Sequence, residues 1–444
     1  MNLWPVVRHV ITSPKATAPL PWLDSTLPPE PAPVVELVGS NWQLPFLHVC
    51  GSDYEMGWQQ GVAWKALLHE FADRFYNQLA CGVGYWLFRH ILPPRLYHLW
   101  TFVPQNLQAE MQGLAAGAEL PLTDVLLINF FDDVLNLMEL GWATACSTTA
   151  VRTDRDRVVV GRNLDYYGPV GQIARPFQVA VRRSPAAPDR HTSLTVGMVG
   201  HVGVLTGLNT AGLSLGTMTA MTREQTWHGL GVSLIYRDIL DRCPTVPAAL
   251  EHFHRYQPVQ GNSLLLADTT TAARVQFTSQ RSRITHLAEE PLIGTNHFLD
   301  IELAASRSAL HDRTLARGSH QRYSRLCQLV RTGTTIADLL ASLSDVPQAE
   351  ASEPSTANPM ATDRWLTMSA VNSRGTLHSA ILEPSDCSIR LALGTGERPI
   401  CPDDYRHWYP FATDWSTRSP ELDCCIENGI QNDASAENNI SLMM

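Results

Sequence analysis

The stretch Ala145-Cys146-Ser147-Thr148-Thr149, followed by Arg157-Val-Val-Val-Gly161-Arg162-Asn163-Leu164-Asp165, decides how this chain is read. It reads as strand, turn, strand. Small β-branched and hydroxyl residues flank the cysteine, and a valine run leads into Gly161. Two neighbouring antiparallel strands bring Cys146, Arg162 and Asp165 into one small volume. The arginine favours thiolate, and the carboxylate holds an amine or orients the arginine. A cysteine alone in a strand is more often a small buried hydrophobe. The paired spacing to Arg162 and Asp165 turns this one into a candidate nucleophile.

Around that stretch, composition sets bounds. The chain has 444 residues, 44% hydrophobic and 17% charged, so it is globular and long enough for one large domain or two to three ordinary ones. A formal charge of −10 argues against nucleic acid as a main partner. The nine cysteines are scattered without CxxC or Cys/His spacing, so no metal is expected. The adjacent Cys424-Cys425 reads as part of a mobile tail. No basic n-region precedes a long apolar run, and no run of about 20 apolar residues exists. Cytoplasmic residence is therefore the default expectation.

Upstream of Cys146, residues 1–40 contain a Pro-rich arm, with order beginning near a strand pair at Val34–Val38 and Pro45–Val49. Ser52 or Asp53 caps a helix that runs on to Tyr76. The glycines of Gly51-Ser-Asp-Tyr-Glu-Met-Gly57-Trp-Gln-Gln-Gly61 let helices pack closely. Residues 83–104 are aromatic and basic. They suit a buried helix pair, with peripheral membrane contact as the alternative. Residues 108–129 form a helix, a turn and a second helix that Thr123 caps.

Downstream, strands follow at Ser193–Gly200 and Val202–Asn209, and Asn209-Thr-Ala-Gly212 turns into Leu213–Met218. The turn is an ordinary hairpin on local chemistry. Helices at Val232–Cys243 and Thr245–Tyr256 precede a hairpin at Asn262–Asp268 and Ala273–Phe277. Gly294-Thr295-Asn296-His297 ends a strand, and Ser319-His320-Gln321-Arg322-Tyr323 opens a helix. Residues 345–363 read as a loop. The strands Trp365–Val371, Thr376–Leu382 and Ser388–Gly394 close a second sheet. Residues 413–444 form a polar tail that frays.

Cys-Ser-Thr with Gly-Arg-Asn-x-Asp behind it resembles the N-terminal-nucleophile cysteine amidases: choloylglycine hydrolases, acid ceramidase, N-acylethanolamine acid amidase and the isopenicillin N acyltransferase group. The resemblance also covers the Gly/Glu/Gly and Gly113–Asn129 stretches, which are similar to the propeptide of the acyltransferase group. It implies an α+β fold, the αββα four-layer sandwich with two antiparallel sheets, and Cys146 at one sheet's edge. It further implies self-cleavage between Ala145 and Cys146. Residues 41–145 would then be a helical small subunit that stays associated with a catalytic subunit, 146–412.

The resemblance implies roles as well. Cys146 is the nucleophile, Arg162 stabilises thiolate and charge, and Asp165 fixes the freed α-amino group. Asn209 is the oxyanion donor, and Asn296 orients or donates near the amine. Arg322 is the further arginine, with Arg313 and Arg325 as alternatives; acid ceramidase has an acidic residue and paired arginines there, which argues against ceramide as substrate. His297 tempts as a base but reads as a satisfied polar residue. No cofactor is needed, because a freed α-amine, of reference pKa roughly 7.7–8.0, is a suitable base for a thiol near ~8.5.

The expected activity is hydrolysis of the linear amide of a small N-acyl, lipid-like substrate. Transfer of the acyl group to an amine is the first alternative. A non-catalytic lipid- or partner-binding protein on the same fold is the second.

Overall fold

A computed structural model of the chain describes residues 35–38, 43–79, 85–138, 144–309, 316–346 and 369–411. The tail, Arg313, Cys424-Cys425, most of 345–363 and most of the strand expected at Trp365–Val371 lie outside the described residues; Ser369–Val371 are not in a strand.

Strands β1 (Val35–Val38) and β2 (Gln43–Gly51) pair antiparallel, as their alternation predicts. Ser52 caps helix α1 (Asp53–Ala63): its hydroxyl accepts from Glu55 N, and the Glu55 carboxylate takes Ser52 N at 2.7 Å. The helix breaks at Trp64 and resumes as α2 (Lys65–Leu79). Next come α3 (Tyr85–Trp100), α4 (Gln105–Ala118) and α5 (Leu122–Leu137). Thr123 does not cap α5; Pro121 precedes its first turn, with no side-chain cap. In the described part of 83–104, Leu92, Leu96, Leu99 and Val103 are buried in the main core, while Tyr97 and Phe102 remain exposed. No described helix is long and apolar enough to cross a membrane.

The chain then runs β3 (Thr144–Arg152), β4 (Val158–Tyr166), α6 (Gly168–Ala174), β5 (Gln178–Pro185), β6 (Ser193–Met198), β7 (Thr206–Asn209) and β8 (Ser214–Thr219). The strand expected from Val202 is thus shorter. Helices α7 (Val232–Arg242) and α8 (Val246–Phe253) follow, the second capped by Thr245. After them come β9 (Asn262–Ala267), β10 (Ala272–Phe277), β11 (Ser282–His286), β12 (Leu292–Gly294), α9 (Ile301–Ala304), α10 (Ala316–Leu329) and α11 (Ile336–Leu343). Strands β13 (Thr376–Glu383), β14 (Ser388–Leu393) and β15 (Arg406–Trp408) end the described chain.

Two sheets result. One has nine strands in the order β1-β2-β5-β6-β7-β8-β9-β10-β11, and the other six, β12-β3-β4-β13-β14-β15. They face each other: the Thr148 hydroxyl donates to Met218 Sδ at 2.8 Å, from β3 across to β8. Outside the smaller sheet, Leu326 of α10, Val330 just beyond it, and Leu339 and Leu343 of α11 pack on Val151, Val159 and Ile293. Helices α7 and α8 cover the larger one. This is the four-layer α+β sandwich. One detail departs from expectation: β2 and β5 run parallel, so the larger sheet is mixed.

Three features hold the residues before Cys146 to one another and to those after it. The first is that parallel junction. The second is the close approach of α1 and α4. A Cβ on Gly57 would lie 1.9 Å from Glu110 O, and one on Gly113 2.0 Å from Tyr54 O, so only glycine permits the spacing. This helix contact is what the Gly-x-x-x-Gly spacings encode. The third is a buried ion cluster. Glu110 of α4 accepts from Arg183 Nε at 2.7 Å and Gln60 Nε2 at 3.0 Å, and pairs with Arg237 Nη1 at 3.0 Å. Arg237 Nε also meets Asp241 at 2.9 Å. Burial pushes the Glu110 carboxyl up, but Arg237 and Arg183 outweigh it and hold the group down at about 2.

Candidate active site

Cys146 lies on β3 opposite Leu164, with Ala145 opposite Asp165 and Thr148 opposite Arg162. Directly opposed residues share a face and successive residues alternate. The pleat therefore puts the Cys146 thiol, Arg162, Leu164 and Tyr166 between the sheets. Asp165 belongs to the other face with Ala145 and Ser147. The expected cluster does assemble, but around a strand rather than on one side of it.

Between the sheets, Arg162 Nη2 stands 3.8 Å from Cys146 Sγ, and Nη1 donates to Thr217 O on β8. On the other side, groups gather about the backbone of Cys146. Its N–H donates to Asn296 Oδ1 at 2.8 Å. Its carbonyl accepts from Arg322 Nη1 at 2.5 Å, and Arg322 Nη2 donates to Asn296 Oδ1 at 2.8 Å. β3 is not an outermost strand, contrary to the expected edge position. However, its pairing with β12 stops at Thr148, so the Asn296 side chain takes the N–H of Cys146. Asp165 is buried; Oδ1 accepts from Thr376 Oγ1 at 2.7 Å, and Oδ2 makes no hydrogen bond among the described residues.

Electrostatics differ from the sequence reading. Burial pushes the Cys146 thiol up to about 11, and Asp165 and Asp132 add to it; Arg162 and Arg322 oppose without prevailing. The thiol is therefore protonated at neutral pH, and Arg162 alone does not make it a nucleophile. Burial also raises Asp165 to about 6, against the pull of Arg322, the Thr376 hydroxyl and Arg162.

Asn209 does not join the cluster. Its Nδ2 donates to Leu240 O and Cys243 O at 2.7 and 2.9 Å, and its Oδ1 accepts from Ala211 N and Leu213 N. All four bonds serve the β7–β8 turn: Nδ2 ties it to the C-terminal end of α7, Oδ1 closes the turn itself, and Gly212 follows at φ +86°. The motif encodes a hairpin, and the oxyanion role assigned to Asn209 is withdrawn. Arg325 pairs with Asp345 at 2.6 Å at the surface, which leaves Arg322 as the arginine at Cys146. His297 is buried with Nδ1 against Ser319 Oγ at 2.7 Å and its ring 3.9 Å from that of His320.

Beside the thiol is a cavity of about 20 Å³, room for a water molecule but not for an acyl chain. Sequence reasoning missed much of its wall. Helix α5 contributes Phe131, Asp132 and Asp133, and the facing sheet contributes Thr217, Thr219 and Asn262. The available signal was Asp132-Asp133 inside the otherwise apolar LLINFFDDVLNL. Tyr166 donates to Asp132 Oδ2 at 2.9 Å; Gln260 and Val232 N donate to Asp133 Oδ1 at 2.7 and 3.2 Å.

Burial, aided by the Asp132 charge and opposed by the Gln260 and Val232 bonds, raises Asp133 to about 7 from 3.8. The penalty for its charge is absent below pH 4 and complete above pH 7. Asp133→Asn keeps the accepting oxygen and removes that charge. Its stability relative to the parent should rise by on the order of 2 kcal/mol between pH 5 and pH 8. Urea unfolding of both, in a Cys146→Ala background, measures this; a difference independent of pH rules out the account.

The two facing sheets between helical layers, with a cysteine backbone gripped by Asn296 and Arg322, define the N-terminal-nucleophile cysteine amidase class. The chain matches the family described as acyl-coenzyme A:6-aminopenicillanic acid acyl-transferase over residues 151–398 and belongs to it. That span includes Arg162, Asp165, Asn296 and Arg322 and begins just after Cys146. A protein of Archaeoglobus fulgidus described as uncharacterized is 27% identical over 224 residues, 44% of this chain. The chain spans about a third of that relative's length, 36%. Among solved structures, a Caenorhabditis elegans N-acylethanolamine-hydrolyzing acid amidase ortholog matches at 15% identity and TM-score 0.37, over 54% of this chain and 93% of its own. A mutant conjugated bile acid hydrolase from Clostridium perfringens matches at 10% identity and TM-score 0.37, over 56% and 89%. The fold assignment rests on the sheets described above and on the family, not on these scores.

Proposed function

We propose that the chain cuts itself between Ala145 and Cys146 and then acts as an N-terminal cysteine amidohydrolase on an N-acyl amide. One observation carries this: the polar groups around Cys146 grip its backbone nitrogen, not only its sulfur. Asn296 holds the N–H, Arg322 holds Asn296 and the carbonyl, and the buried Asp165 Oδ2 across from Ala145 is unspent. A plain thiol nucleophile has no use for such a grip. A freed α-ammonium needs one, and a carboxylate oxygen left unpaired in a buried site suits it.

In the first phase the thiol adds to the Ala145 carbonyl. The C–N bond breaks as the acyl group moves from nitrogen to sulfur, and the nitrogen takes the thiol's proton. Water then hydrolyses the thioester to an Ala145 carboxylate, a free Cys146 amine and the thiol. In the second phase the α-amine, of reference pKa roughly 7.7–8.0, takes the thiol proton. Sulfur attacks the substrate amide, the protonated amine leaves, and water releases the acid. Arg162 stabilises the thiolate. Asp165 and Asn296 hold the amine between its charged and neutral forms. The small fragment stays bound through β2 and Glu110.

Acyl transfer to an amine differs only in the final acceptor, and the family's own description favours keeping it as the second reading. The test is intact mass after incubation with N-acylethanolamines, bile-acid conjugates and β-lactams. An acyl adduct on Cys146, and its decay in water against decay with added amine, identifies the acyl group and the acceptor. No adduct and no turnover across the panel would leave a binding protein on this fold.

A further inference from the structure

Acyl transfer places negative charge on the substrate's carbonyl oxygen, and a preorganised N–H is the usual way to meet it. The asparagine amides of the strands around Cys146 and of the cavity wall are the candidates, and all but one are spent: Asn163 donates to Leu343 O and Val371 O, and Asn129 to Val125 O and Gly200 O. Asn209 is bound into its turn, as described. Asn296 has its Nδ2 on Thr219 O at 2.9 Å and its Oδ1 on Cys146 N and Arg322.

Asn262 is different. It opens β9 directly opposite Thr219 of β8 and lines the same cavity as Cys146, Arg162 and Thr217. It is 2% exposed. Two hydroxyls fix its carbonyl end: Thr217 Oγ1 donates to Oδ1 at 2.5 Å and Tyr236 Oη at 3.0 Å. Burial pushes the Tyr236 hydroxyl well above its usual ionisation range, so it remains a donor at any working pH. With Oδ1 doubly engaged, the amide cannot flip without losing both bonds. Its Nδ2 makes no hydrogen bond among the described residues, and it is the end left to the cavity.

We infer that Asn262 Nδ2 is the side-chain oxyanion donor of this site, locked in orientation by Thr217 and Tyr236. The inference rests on the amidase reading above. In it, Asn262 touches the reacting oxygen and is a catalytic residue; Tyr236 acts through it and is a positioning residue.

The test contrasts two reactions of the same sulfur. p-Nitrophenyl hexanoate acylates a thiol through an oxyanion. Iodoacetamide alkylates it by displacement at carbon, with none. Asn262→Ala and Asn262→Leu should slow acylation of Cys146 by about 10²–10³-fold, the range for loss of one such donor, and, adding no charge beside the sulfur, leave its alkylation within about twofold of the parent. Acylation within about threefold of the parent overturns the assignment, as does an equal loss in both reactions. If neither variant folds, Tyr236→Phe decides. Releasing one lock should slow acylation by up to about tenfold, the worth of one hydrogen bond, with alkylation unchanged; an unchanged acylation rate overturns the assignment. Failure of the underlying reading looks different: a parent chain that forms no ester adduct, or a Cys146→Ala chain that still turns over amide, removes both.

Discussion

Cys146→Ala is expected to run as a single 49.2 kDa chain where the parent runs as two. Cleavage before Cys146 leaves pieces of 145 and 299 residues, which share that mass as about 16 and 33 kDa. The variant should also lose all measurable amide turnover, since the sulfur that carries the acyl group and starts the cut is gone. Cys146→Ser is the sharper variant. A hydroxyl can still make the nitrogen-to-oxygen shift slowly, so a trace of cutting without thioester chemistry is expected. The thiol's displacement to about 11 in the uncut chain gives the expected time course: slow first cutting, then fast turnover once the amine is free. Denaturing gels and N-terminal sequencing of the large piece read all of this. A parent chain that remains whole, or a cut elsewhere than before Cys146, ends the proposal.

Glu110→Ala is expected to cost about 3–5 kcal/mol, the range for removing one partner from a buried ion pair. The carboxylate answers Arg183, Arg237 and Gln60 at once, and all three side chains are buried. Its removal leaves Arg183 without its charged partner and Arg237 with Asp241 alone. Replacing Glu110 and Arg183 together by apolar residues of similar volume should cost far less than the single change, because Arg237 keeps Asp241 and no buried charge is orphaned. Denaturant unfolding in the uncut Cys146→Ala background measures both. A loss under about 1 kcal/mol for Glu110→Ala would show that the cluster is solvated or dispensable.

How much was legible in the sequence follows from range. Ser52 capping α1, the start of α8 after Thr245 and the β3–β4 hairpin depend on neighbours, and the sequence spells them out. Cys146, Arg162 and Asp165 were predictable together because a hairpin register fixes which residues oppose. Asn296 and Arg322 came from motifs, and the structure gathers them at the same backbone nitrogen. Asn209 failed for a physical reason. Gly-Leu-Asn-x-x-Gly-Leu specifies a turn whose asparagine satisfies local amides, and that chemistry is the same whether or not a nucleophile is near. Asn262, Asp132 and Asp133 were not legible because they reach Cys146 from another sheet and another layer. The thiol's raised pKa escaped too, since burial against α5 outweighs an arginine that the sequence does display.

The parallel pairing of β2 with β5 has a consequence for how the molecule comes apart. Strand β2 lies inside the nine-stranded order, with β1 beyond it, so under the proposed cut the residues up to Ala145 would lend the larger piece a stretch of their own backbone ladder. Pulling the two apart would strip hydrogen-bonding groups along β5 and leave a sticky margin. If the proposed cut occurs, the two pieces would be halves of one laminate rather than an enzyme with a detachable cover.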